Sequence, residues 1–144
     1  MNNYDSIRYM NVYSKVYSMS FREMDGAFKD FYSICQKHGM KLMGHVFYSV
    51  NKLEENDKME IEIFFPAEKR VDVPVGQLRY RNYFIVENMI SAVVEGKLEV
   101  NMQKAYASMV KYAASKKRKL IMPFFNEIHR TGKKAYVLVK VAVV

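Results

Sequence analysis

The sequence predicts an α+β domain of two strand-helix-strand-strand units, with an antiparallel sheet and both helices on one of its faces. Three observations predict it. Half of the 144 residues are hydrophobic, with 11 Tyr and 9 Phe, which is enough for one ordinary core. Alternation of period two recurs in short runs, clearest over residues 59–65. Two stretches of helical period each follow one strand-like run and precede two more.

Residues 7–18 alternate loosely and are rich in Tyr and Val, a strand pattern. Ser20 and Glu23 form a capping box that opens a helix. Phe21, Met24, Phe28, Phe31, Tyr32 and Cys35 continue it at helical spacing, and Gly39 supplies its left-handed cap. Leu42, Gly44, Val46, Tyr48 and Val50 alternate over 41–50, a second strand, and the polar segment 51–58 is a hairpin loop. Met59, Ile61, Ile63 and Phe65 alternate with Glu60, Glu62 and Phe64 until Pro66, which cannot donate to a ladder.

Residues 67–77, with two charged runs, Pro74 and Gly76, connect the halves. Residues 78–86 and 88–95 form two strands, or one long strand bent near Glu87 and Asn88. A second helix spans 99–118, with Val100, Ala105, Tyr106, Met109, Val110 and Ala113 on one face. Strands 120–129 and 134–143 close the chain around a turn at Thr131 and Gly132. Residues 1–144 thus read as one domain of two repeats, 7–66 and 78–143, with a concave groove expected on the face away from the helices.

Composition excludes several classes. The lone Cys35 rules out an intramolecular disulfide, and no Cys-His cluster has zinc spacing, so neither metal nor cofactor is expected. The start lacks a basic region followed by an apolar run, and no stretch approaches the roughly 20 apolar residues of a membrane span. A cytoplasmic setting is the expectation.

The net charge of +8 is unevenly spread. Residues 1–72 carry 10 Lys+Arg against 11 Asp+Glu, and residues 73–144 carry 13 against 4. Such asymmetry suits an acidic partner, with plain solubility as the alternative. Arg79 and Arg81, interleaved with Tyr80 and Tyr83, and the run Lys116, Lys117, Arg118 and Lys119 are the candidate partner-binding residues. The same pattern can serve single-stranded nucleic acid, but the signal is unspecific and a protein client is preferred.

No phosphate loop, nucleophile elbow or recognisable acid/base pair exists, so no catalytic residue is assigned and the chain is read as a non-enzyme. His38, His45 and His129 match no metal or triad spacing. His38 sits at a helix end, and the other two are expected on strands. Glu60 and Glu62 share one strand face, read as solvated. Glu127 lies in the apolar run 121–128. It is either a partly desolvated carboxylate able to hold a cation or an outward-facing residue of the alternating strand.

At Met59-Glu60-Ile61-Glu62-Ile63-Phe64-Phe65-Pro66 and Pro123-Phe124-Phe125-Asn126-Glu127-Ile128 the chain resembles the GyrI-like, or effector-binding, domain superfamily. The resemblance covers nearly the whole chain in order of elements and implies the duplicated layout above. It implies that Glu127 points into the groove and meets cationic ligands. The candidate ligand-binding set is Glu127, Phe125, Tyr80 and Tyr106. Two features depart from the family: Glu95-Gly96-Lys97-Leu98 stands where a Gly-Pro-Tyr-like turn is usual, and no helix-turn-helix precedes the domain.

More narrowly, the chain looks like stand-alone members encoded beside LXG toxins of Gram-positive type VII secretion systems. That likeness implies an accessory, chaperone-like adaptor whose client is a secreted toxin or its targeting domain. A small-molecule domain for a cationic ligand is the alternative. A monomer and a homodimer are both compatible with an apolar last strand.

Overall fold

The computed structural model describes residues 1–144, the side chain of Leu98 apart. Its elements run β1 (Asn2–Ser20), a 3-10 turn (Phe21–Glu23), α1 (Met24–Lys37), β2 (Phe47–Leu53), β3 (Lys58–Pro66), β4 (Arg79–Val94), α2 (Leu98–Ser115), β5 (Leu120–Thr131) and β6 (Lys134–Val143). The order strand-helix-strand-strand therefore occurs twice, in an antiparallel α+β arrangement. By internal contacts the chain forms two compact units, residues 8–84 and residues 1–7 with 85–144. The boundaries fall inside β1 and β4.

In the unit of residues 8–84, β3 lies between β1 and β2. The pairings run from Val12 opposite Pro66 to Ser20 opposite Lys58, and from Phe47 opposite Phe64 to Leu53 opposite Met59. Ile61 and Ile63 are wholly buried, as alternation demands. The capping box forms: Glu23 Oε1 accepts from the Ser20 N–H at 3.0 Å. The buried side of α1 is Ala27, Phe31 and Cys35, spaced by four. Phe21 and Tyr32, expected on that face, are exposed, because the face centres on Ala27.

The second strand starts at Phe47, later than residue 41. Gly44 explains the delay. Its φ of +118° breaks the extended run, and a Cβ there would stand 2.4 Å from Tyr9 Cε1, so only glycine fits. His45 consequently lies in the segment before β2, off any strand.

In the other unit β6 lies between β4 and β5. Val137, Val139, Val141 and Val143 of β6 pack with Ile90 and Val94 of β4 and Met109 of α2. Period two then sends Leu138, Lys140 and Ala142 to the opposite face. Likewise Phe124 and Asn126 of β5 face α2, and Phe125, Glu127 and His129 face away from it. Of the two readings for residues 78–95, the single strand is the one formed, with Asn88 at φ +55° near the expected bend. The last hairpin turns on Gly132 and Lys133, and Thr131 pairs with Lys134 as the final rung. Among the described residues, no helix is long and apolar enough to cross a membrane.

Candidate functional site

Glu127 is buried, with 3% of its surface exposed, and the outward-facing alternative is excluded. It is not alone, however. Two nitrogens hold its two oxygens separately: His129 Nε2 at 2.6 Å from Oε1 and Lys140 Nζ at 3.1 Å from Oε2. Sheet geometry produces both contacts. His129 is two residues along the same strand face. Lys140 faces Phe125 across the ladder, which makes it the diagonal neighbour of Glu127.

Lys140 is itself only 6% exposed and has two further anchors. It donates to the Ser6 carbonyl at 2.9 Å and lies 3.4 Å from Asp5 Oδ1. Burial pushes the Asp5 carboxyl up. Bonds from the Ser91 hydroxyl and the Ser6 N–H, with the charge of Lys140, outweigh that and hold it below its ordinary value. Asp5 is therefore ionised at neutral pH. Asp5 and His129 thus converge on Lys140 and Glu127: Asp5 shares the ammonium, and His129 shares the carboxylate. A buried charge needs a partner, and Glu127 has one on each oxygen.

The His129 ring stacks on Tyr136 at 4.8 Å between centroids. Tyr136 in turn lines a surface recess of about 330 Å³ with Glu95, Gly96, Thr131, Lys134 and Ala135. Glu127 does not line this recess; Tyr136 and His129 link the two. The recess is at the small end of the size range of ligand sites, roughly 300–1,000 Å³.

The expected ligand-binding residues divide. Phe125 shares the face of Glu127 and is buried. Tyr106 lies on the other face of β5, where its hydroxyl donates to Asn126 Oδ1 at 2.7 Å and its ring stacks on Phe124 at 4.5 Å. Burial pushes its phenol up to about 12. Asn126 Nδ2 beside it is buried without a hydrogen-bond partner among the described residues. Tyr80 belongs to the unit of residues 8–84. There its hydroxyl donates to Asn11 Oδ1 at 2.7 Å, and its ring has Tyr13 at 4.9 Å and the Arg70 guanidinium at 5.0 Å.

That unit holds a second buried carboxylate, and the solvated reading of Glu62 is corrected: it is 5% exposed. Ser14 Oγ donates to its Oε2 at 2.6 Å, and Arg81 Nη1 does so at 3.1 Å. The Arg81 guanidinium lies over the rings of Phe64 and Phe84, at 5.5 and 5.8 Å. Of the expected partner-binding residues, Arg81 is thus turned inward, and Arg79 is the more exposed, 3.8 Å from the same carboxylate. Lys116, Lys117 and Lys119 are exposed at the end of α2 and in the turn after it, and Arg118 is half-buried. The Lys119 backbone pairs with Val144.

The sequence reading missed His129 and Lys140 as partners of Glu127, and Asp5 as the second carboxylate on Lys140. One signal was available for Lys140: it is a lone charge in an apolar strand, as Glu127 is in its own. Asp5 had none, because its role depends on a chain terminus brought back beside β4 and β6.

With six strands and two helices in this order, the chain has the GyrI-like fold. Over residues 8–144 it matches the family described as a domain of unknown function, DUF5085, and it belongs to that family. Among solved structures it is similar to EcmrR. In the cryo-EM EcmrR–DNA complex the TM-score is 0.76 at 13% identity, covering 98% of this chain and 57% of that one. The chain therefore spans little more than half of EcmrR. Against the isolated EcmrR C-terminal domain the TM-score is 0.67 at 11% identity, with 98% of both chains covered. A hydrolase from Listeria innocua gives 0.57 at 7% identity over 99% and 92%. SAV2435 bound to tetraphenylphosphonium gives 0.51 at 12% over 98% and 93%. No curated protein matches the sequence significantly.

Proposed function

We propose that this chain is a non-catalytic small-molecule-binding domain that takes an organic cation at Glu127. The observation that carries the reading is a buried carboxylate, Glu127, held on one oxygen by a flexible lysine that also has anchors elsewhere. A ligand cation at this carboxylate would be held by a weakly screened attraction in a low-dielectric site. The Tyr136-lined recess beside His129 offers an aromatic surface and the Glu95 side chain to the rest of such a ligand. The fold neighbour SAV2435, solved with tetraphenylphosphonium, supports the choice of a lipophilic cation as the first probe.

Calorimetric titration with tetraphenylphosphonium tests the reading. Saturable binding is expected, weakened at least tenfold, about 1.4 kcal/mol, in Glu127→Gln. Undiminished binding by that variant would remove Glu127 from the site.

A second reading, an adaptor for a secreted toxin of a type VII system in the cytoplasm, has a different observation behind it. The basic run Lys116 to Lys119 adjoins exposed apolar side chains: Ile121 at 48%, Met122 at 60% and Val144 at 68%. Basic and apolar surface together suit an acidic, amphipathic protein segment. Pull-down from the native host should then retain one toxin-like protein. A fourfold alanine variant of residues 116–119 should lose it, and a clean bait would end this reading.

A further inference from the structure

Lys140 sits where a ligand's charge would sit. Its ammonium is the cation on Glu127 Oε2, at 3.1 Å, within a site that is nearly closed to water. Its other two anchors do not involve Glu127 at all. The Ser6 carbonyl at 2.9 Å and the Asp5 carboxylate at 3.4 Å both lie on the N-terminal segment of β1. A lysine that let go of Glu127 would still have a hydrogen-bond acceptor and a counter-charge. Its four-carbon stem permits that swing, which a planar guanidinium held over two rings, such as that of Arg81, does not share.

We infer that Lys140 is a tethered competitor for the ligand: it occupies Glu127 in the free protein and retires to Asp5 and Ser6 when an external cation arrives. The inference rests on the ligand-binding reading and deepens it, because it makes Lys140 the residue that sets affinity and selectivity. Displacing it costs one hydrogen bond at Glu127 Oε2, so weakly interacting cations are refused. His129 remains on the other oxygen throughout, which keeps the carboxylate in one orientation. Asp5 is the seat that makes the exchange possible, a role that a purely structural ion pair would not give it.

The two ends of the exchange predict opposite effects, which separates them from simple damage to the fold. In Lys140→Met the competitor is gone, and tetraphenylphosphonium should bind at least tenfold tighter than to the wild type. In Asp5→Asn the alternative seat is weakened, Lys140 stays on Glu127, and binding should weaken at least threefold. Both are measured by calorimetry on protein shown by circular dichroism to be folded. A folded Lys140→Met protein that binds as the wild type does, or more weakly, overturns the competitor role and leaves the ligand-binding reading standing. No binding by either the wild type or Lys140→Met overturns that reading itself. Should Lys140→Met not fold, Asp5→Asn decides: unchanged or tighter binding sinks the proposal.

Discussion

The two units each bury one glutamate against a cation from another strand, yet they do so in different ways. Glu62 meets Arg81, whose planar guanidinium is fixed by Ser14 Oγ at 2.9 Å and by the rings of Phe64 and Phe84. Its side chain is 34% exposed, so part of the cation's hydration survives. Glu127 meets Lys140, a flexible ammonium 7% exposed in its side chain and divided between two carboxylates and a carbonyl. The first arrangement has one low-energy state. The second has a cation with two seats, which is what an exchangeable site requires. Burial of a charge alone therefore does not mark a binding site; the number of alternatives open to its partner does.

Removing the cation in each unit should expose the difference. Lys140→Ala takes the ammonium from the buried Glu127 and the part-exposed Asp5, and a loss of about 3–5 kcal/mol is expected in urea unfolding. Arg81→Ala leaves Glu62 with Ser14, with Arg79 nearby and with water access. The expected loss there is smaller, about 1–3 kcal/mol. A reversal of that order would break the comparison.

The opposite face of β5 supplies a neutral control. Tyr106→Phe removes one buried hydrogen bond to Asn126, for about 1 kcal/mol, and should leave ligand affinity unchanged. Acid sharpens the contrast further. Asp5 has a folded pKa below its ordinary 3.8, so its contribution is present above that value and is lost as pH falls through the folded value. Asp5→Asn should flatten this part of the stability curve below about pH 4. The smallest effect belongs to Lys117→Ala on the exposed end of α2, where no measurable change in stability is expected.

Much of this architecture is legible in local pattern. Ser20 with Glu23, Gly39, Pro66 and the alternation of residues 59–65 each specify a boundary or a face through chemistry that needs no distant partner. The misplaced start of β2 has a non-local cause, the ring of Tyr9 against Gly44, and no window of sequence around residue 44 contains it. The site divides along the same line. Glu127 is conspicuous as a charge in an apolar run, and His129 follows from strand period. Lys140 could be read only by asking which other apolar strand carries a lone charge. Ser6 and Ser14 acquire their roles from pairings 134 and 48 residues apart in the chain, with Lys140 and Glu62, and Asp5 likewise pairs with the distant Lys140. Glu62 shows the converse failure, since strict alternation assigns it to a solvated face that β1 and β4 in fact cover.

The most direct test of the central claim is a crystal structure of the protein with tetraphenylphosphonium. The account predicts the phosphonium within about 6 Å of the Glu127 carboxylate, close enough for a strong buried charge interaction. It also predicts Lys140 Nζ withdrawn to Asp5 and the Ser6 carbonyl. A probe bound elsewhere, with Lys140 still on Glu127, would contradict it.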